Sequence, residues 1–398
     1  MRRTARFLVA FSVCQLSACS AGATDLIIDG QSNRVFDGGS YDRLIIRDSD
    51  SITVRNARFA ASYIGSVVSI QNSSDVLFER SDIDGAGEAC TGISISNGQN
   101  ITIADNDVHD IADDGFEIYD GTGLVIRGNT VYRLLGKGTD GSISGPCYNG
   151  HSDGLEIGRV SNSTFTGNLI FDVRSTAAVI ISNDASGPSE YCRNLVFANN
   201  IFVTPESGFT MYAFQVEGLT IHNNVIWKGY YGGLAIGDGV TDMDVTNNVL
   251  HSINYSHVNP PYVPAEHRFR HNRVADVAAW NKTPALFGDA RGNSVGEPAF
   301  TVAPNLPGFG DPIAWRQPAS GLLIFALSDF TPASNSALLD TGEAATAPPF
   351  DALGTPRPQG AAVDIGAVER VPEPGPAVLR CAGIGILALL ARSRRATR

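Results

Sequence analysis

The chain has 398 residues, 42 of them Gly, with 18% charged residues and a net charge of −12. That length suits one large all-β domain or two smaller ones, and a low-charge mix rich in Gly, Asn, Ser, Thr and Val favours short strands and tight turns over helices. Lys occurs at positions 137, 228 and 282 alone and the body of the chain holds no basic run, which argues against nucleic acid as a partner.

Residues 1–23 read as an export signal: Arg2, Arg3 and Arg6 precede the short apolar run "FLVAFSV", and small residues follow. Two processing sites compete. "AGA" (21–23) would release Thr24 as the mature start, whereas "LSAC" (16–19) resembles a lipoprotein box with Cys19 as the lipidated residue. Either route takes the protein out of the cytoplasm. With both ends set aside, Cys90, Cys147 and Cys192 remain, enough for one disulfide and one thiol, without fixing which pair forms.

From about residue 40 the chain repeats. "NITIADNDV" (100–108), "GLVIRGNTV" (123–131), "NSTFTGNLI" (162–170), "NLVFANNIF" (194–202), "GLTIHNNVI" (218–226) and "DMDVTNNVL" (242–250) each give an alternating strand, two polar or small residues, an Asn and another apolar pair. The aligned residues are Asn106, Asn129, Asn168, Asn200, Asn224 and Asn248, with Asn272 next, at spacings of 23, 39, 32, 24, 24 and 24; Ser81 and Ala57 hold the same place earlier. A unit of about 24 residues cannot bury its own apolar face and must stack on its neighbours. Strand and turn at that length predict one coil of a parallel β-helix, with coils ~4.8 Å apart. Asn fits a bend because it tolerates the left-handed conformation and its amide can pair with the Asn above and below. The alternatives, a β-propeller or a sandwich, do not account for one fixed Asn per 24 residues. The expected architecture is all-β: a solenoid of about ten coils over 24–300, followed by a capping segment over 301–370.

The 39- and 32-residue spacings place insertions at "LGKGTDGSISGPCYN" (135–149) and "NDASGPSEYC" (183–192), and long loops on a rigid solenoid are where function concentrates. "ADDGFEIY" (112–119) and "HSDGLEIG" (151–158) flank the first of them. With loops removed, "GISISN", "GFEIYD", "GLEIGR", "AVIISN", "GFTMYA" and "GLAIGD" align. Ile95, Ile118, Ile157, Ile181, Met211 and Ile236 then share one inward column, and Ile93, Phe116, Leu155, Val179, Phe209 and Leu234 another. Glu117 should stack on Glu156 on the outer face, and Asp114 on Asp153. Four carboxylates in one patch require a cation, a proton at raised pKa, or full exposure to screening water. Calcium suits such a set, since it takes several carboxylate oxygens in loose geometry.

The repeat resembles the right-handed parallel β-helix proteins of the pectate-lyase-like superfamily over roughly residues 40–300. That resemblance implies a polysaccharide lyase or uronate epimerase that removes a proton beside a uronate carboxylate. Mapped onto this chain, it implies His151, Tyr148 and Lys137 for proton transfer and Arg159 on the substrate carboxylate. Asp114, Glu117, Asp153 and Glu156 would be calcium ligands or orienters. "YNGHSD" (148–153) resembles the Tyr…His-x-Asp arrangement of alginate epimerases, without the Asp-Pro that precedes their histidine. An inverting glycoside hydrolase is an alternative, but the Asn-Thr-Asp and Gly-His-Gly signatures of polygalacturonases are missing. A second alternative is a non-catalytic envelope protein that stacks exopolysaccharide on Tyr119, Tyr212, Tyr230, Tyr231 and Trp227. In either case the expected partner is a polysaccharide, and a solenoid of this kind is expected to be monomeric.

"SALLDTGEAATAPPFDALGTPRPQGAAVDIGAVE" (336–369) resembles the closing segment of exported bacterial β-helix proteins, which implies a cap over the last coil edge and structural roles for Asp340, Asp351, Asp364 and Glu369. Residues 371–398 follow with "VPEP", an apolar run at Cys381–Ala391 and "RSRR". They resemble the PEP-CTERM sorting signal, which implies membrane capture and processing by an exosortase.

Overall fold

A computed structural model describes residues 24–372 apart from 62–63, 137–146, 148–151, 175, 182–187, 205–207, 228–231, 255–263, 277–286 and 303–324. The chain winds through ten coils. Each contributes one strand to each of three parallel sheets, Ser294–Val295 adds an eleventh strand to the third, and every sheet runs the length of the solenoid. The expected all-β parallel β-helix is therefore what the chain forms. Among the described residues no helix is long and apolar enough to cross a membrane. The sorting segments expected at 1–23 and 371–398 lie outside the described residues, save Val371 and Pro372.

Alternation supplies the core. In the second sheet Phe78, Ile103, Ile126, Phe165, Phe197, Ile221, Val245 and Phe269 stack in register and are fully buried. The Phe165 and Phe197 rings lie parallel with centroids 4.6 Å apart. Each such side chain contributes roughly 2–3 kcal/mol by leaving water.

The asparagine column forms a continuous ladder. From Asn106 to Asn272, each Nδ2 donates to Oδ1 of the next Asn at 2.9–3.1 Å, the last to Asn293, which extends the column by one. Each backbone N–H shares that acceptor, and the second Nδ2 hydrogen bonds a main-chain carbonyl such as Phe165 O, at 2.8 Å from Asn200. Ser81 N–H continues the ladder to Asn106 Oδ1. The left-handed residue is not the ladder Asn itself. It is the one before it: Asp105, Gly128, Gly167, Asn199, Asn223, Asn247 and His271, with φ between 51° and 65°. The bend thus needs two residues, one to reverse the chain and one to point inward and saturate the buried backbone.

Register differs from expectation at the eighth coil. Met211, not Phe209, lies opposite Val179 and Leu234, and Ala213 lies opposite Ile181 and Ile236. A slip of two residues keeps every inward side chain inward, so alternation cannot reveal it. It moves Tyr212 into the outward row of Glu117, Glu156 and Ile180.

The third sheet explains the C-terminal segment. Its outward row reads Arg58, Asp82, Asp107 and Thr130 on the second to fifth coils, then Leu169, Ile201, Val225 and Val249 on the sixth to ninth. Phe325, Phe330, Leu338, Ile365, Ala367 and Val368 pack on those four apolar residues together with Phe171, Val203 and Trp227. The described part of the segment therefore packs as a strap along the flank of the sixth to ninth coils. Trp227, buried beneath it, is unavailable to stack sugar; Tyr230 and Tyr231 lie outside the described residues. The strap's acids are structural, as expected. Asp351 accepts main-chain N–H groups of Leu353, Thr355 and Glu369, Asp364 those of Asp340 and Arg370, Glu369 those of Gln359 and Asp364, and Asp340 that of Ala362.

Candidate functional site

Both insertions border the first sheet: one precedes strand Asp153–Gly158, the other follows strand Ala177–Ile181. Cys147, from the longer one, is disulfide-bonded to Cys90, one residue before strand Thr91–Ser96 begins, and Cys192 is a buried thiol. This settles the pairing that the sequence left open.

Asp114–Tyr119 and Asp153–Gly158 are neighbouring strands with Glu117 opposite Glu156 and Tyr119 opposite Gly158. A Cβ on Gly115 would lie 2.6 Å from Val131 Cγ1 and 2.7 Å from Gly154 O, so the Asp-Gly step is required where each strand enters from its bend. Asp153 N–H donates to Asp114 Oδ1 at 2.7 Å. The two aspartates are buried, at 4% and 0% exposure, so of the three ways to accommodate the acids, full exposure to screening water does not apply to this pair. Oxygens of Asp114, Asp153 and Glu156 lie within 4.8 Å of one another. Glu156 Oε1 accepts the Tyr119 hydroxyl at 2.6 Å, and Glu117 Oε2 takes the Thr91 hydroxyl at 3.5 Å.

Crowding shapes the electrostatics. Burial, followed by the charges of Asp113, Asp153 and Glu156, pushes the Asp114 carboxyl up to about 9 against the opposing effect of the Asp153 N–H. The site thus holds a proton at neutral pH unless a cation replaces it. Burial, then the bond to Glu156, raises the Tyr119 phenol and keeps it a donor.

Of the residues singled out from sequence, Asp114, Asp153 and Glu156 converge, with Glu117 and Tyr119 beside them. Arg159 has protein partners: its Nε and Nη2 bond both oxygens of Asp120 at 2.5 and 2.9 Å, and its guanidinium lies 5.5 Å over the Tyr119 ring. Tyr212 stands two coils along in the glutamate row, stacked between Phe209 and Phe214 at 5.6 and 6.2 Å. Lys137, Tyr148 and His151 lie outside the described residues.

Sequence reasoning missed a second cluster, on the third sheet. His109 Nδ1 meets Asp110 at 2.7 Å and Nε2 meets Asp82 at 2.9 Å, with Tyr132 stacked on the ring at 5.2 Å. Arg133 bonds Asp110, and Asp84 bonds Arg58 Nη2 at 3.1 Å. The signal was "DVHD" on an outward strand, legible only once the register showed which acids lie opposite. Burial works against a charged ring, but the bonds to Asp110 and Asp82 overcome it and raise His109 to about 9. Both His109 nitrogens and both Asp110 oxygens are committed to charged partners, so the cluster clamps the third, fourth and fifth coils together. Because the folded value exceeds the ordinary 6.5, its contribution is complete below pH 6.5 and is lost as pH rises through about 9. Wild type should lose roughly 2–3 kcal/mol between pH 6 and 10 beyond any loss in His109→Gln. Denaturant unfolding at the two pH values measures that difference, and parallel profiles would dismiss the clamp.

The family model described as "Right handed beta helix region" matches residues 6–140 and 139–250. Among solved structures, the surface adhesin PfbA of Streptococcus pneumoniae is 12% identical over 63% of this chain and 65% of its own, with a TM-score of 0.39. The pectate lyase Pel9A is 16% identical over 80% of each chain at 0.45, and a doubly substituted pectate lyase from Xanthomonas campestris is 14% identical over 70% and 81% at 0.41. This chain therefore spans just under two thirds of the adhesin. Comparison with curated protein sequences finds no match. The family model covers more than half of the 398 residues: the chain belongs to the right-handed β-helix family.

Proposed function

We propose that this protein is an exported, carbohydrate-active β-helix protein, a polysaccharide lyase or uronate epimerase that acts on an acidic polysaccharide lying on the first sheet. One observation carries the reading: a carboxyl cluster of buried Asp114 and Asp153 with half-buried Glu156 borders a face that continues to Tyr212 and Phe214. The donor set is all oxygen, multiply anionic and partly shielded from water, which fits calcium and does not fit a soft transition metal. Asp114, Asp153 and Glu156 would hold the ion, with Glu117 next to them. When bound, calcium would neutralise the uronate carboxylate and acidify the neighbouring C–H. The net charge of −12 works mildly against approach of a polyanion, which such neutralisation would offset.

The chain's own residues supply the rest. Tyr119 fixes one oxygen of Glu156, and Asp114 carries the proton that an empty site needs. The disulfide at Cys90 ties the segment bearing Cys147, next in sequence to the proposed proton-transfer residue Tyr148, to the coil before the site. His151 and Lys137 remain the other proposed proton-transfer groups. Inverting hydrolysis is disfavoured, because carboxyl oxygens within 4.8 Å leave no room for the water that a separation of ~6.5–9.5 Å accommodates.

The test is ultraviolet absorbance of unsaturated uronates on a panel of acidic polysaccharides, with and without chelator, alongside proton-exchange analysis of recovered polymer for epimerisation. Chelator-sensitive product supports the reading. No product together with retention of a polysaccharide on a pull-down overturns it in favour of a binding protein.

A further inference from the structure

We infer that Tyr119 is a positioning residue for the cation site, and that Arg159 and Asp120 hold it there; this rests on the cation reading of the acid cluster. Tyr119 and Arg159 are both engaged with neighbouring side chains. Tyr119 stands opposite Gly158, whose missing side chain leaves its ring free to lean across the sixth coil. Its hydroxyl thereby reaches Glu156, two residues back along the next strand, at 2.6 Å. Glu156 Oε1 is thus occupied, and its carboxylate is held against the Asp114–Asp153 pair. On the other side the Arg159 guanidinium covers the ring at 5.5 Å, itself fixed through two bonds to Asp120. The sequence Asp120, Arg159, Tyr119, Glu156 runs unbroken from an exposed ion pair to the buried acids. A carboxylate on a flexible stem loses rotamer freedom when it binds an ion, and a neutral donor that orients it beforehand removes part of that cost. The ring face and guanidinium assigned from sequence to the substrate are, in this arrangement, committed to the protein.

The test is calcium titration calorimetry on the full chain. Tyr119→Phe should weaken calcium binding about tenfold. Arg159→Ala, which leaves the hydroxyl in place but frees the ring, should weaken it by less, and carries the test if the first variant fails to fold. Arg127→Ala, which removes a comparable exposed pair with Asp105 on the second sheet, should change nothing. Melting temperatures in chelator separate a binding defect from a folding defect. Wild-type affinity in both Tyr119→Phe and Arg159→Ala overturns the inference and leaves the cation reading standing. A wild-type protein that takes up no calcium at millimolar concentration overturns both.

Discussion

Asn200→Ala should lower the free energy of unfolding by roughly 4 kcal/mol, a large part of a typical domain's stability. The alanine keeps its own N–H bond to Asn224 Oδ1, but three buried groups on neighbouring segments lose partners. Asn168 N–H and Asn168 Nδ2 both donate to Asn200 Oδ1, at 2.9 and 3.0 Å, and Phe165 O accepts from Asn200 Nδ2 at 2.8 Å. Each such orphan costs about 1–3 kcal/mol, and none is close enough to solvent to be rescued. Asn200→Asp should be no better, because it restores the acceptor without the donor and adds a buried charge. Asn293→Ala, at the half-buried end of the same ladder, should cost only about 1 kcal/mol. Guanidinium unfolding followed by circular dichroism measures all three; equal losses at 200 and 293 would sink the idea that burial of the ladder sets its worth.

The second large effect is on activity. Glu156→Gln should reduce turnover by about 100-fold or more while raising the melting temperature in chelator. The substitution is nearly isosteric, and its carbonyl can still accept the Tyr119 hydroxyl, so the scaffold is kept. What changes is charge. Glu156 is among the neighbours that hold Asp114 at about 9, so its neutralisation relieves repulsion in the empty site and weakens attraction for a cation. Calcium should therefore stabilise wild type strongly and the variant little, by the linkage between ligand affinity and unfolding. Opposite signs for stability and turnover mark a functional acid. A fall in both would mean that Glu156 merely supports the fold.

Much of this architecture was legible in the sequence because a solenoid writes its geometry in one dimension. The spacing of Asn106 through Asn272 marks the bends, and the 39- and 32-residue gaps mark the insertions beside the acids. The doubled Asp-Gly-x-Glu-Ile could be stacked correctly from that register alone. Two kinds of information were not recoverable. Burial of Asp114 and Asp153 depends on what lies over the bend, which alternation along a strand does not encode. The two-residue slip at Met211 is silent because parity is preserved. The strap was not legible for a related reason. The change from Thr130 to Leu169 on the outward row is visible in the sequence, but only the three-sheet register shows that these residues form one continuous stripe.

That stripe gives the fold a sense of order in time. Coils stack between neighbours and can assemble as they are made, but the bonds from Asn199 to Phe350 and from Asn223 to Asp364 span 151 and 141 residues. On a chain emerging from the ribosome, the flank of the sixth to ninth coils stays greasy until residues 325–368 arrive to cover it. An unfinished or clipped chain would carry a winding that is sound and a side that is sticky, a mark by which folding surveillance could tell it from the finished protein.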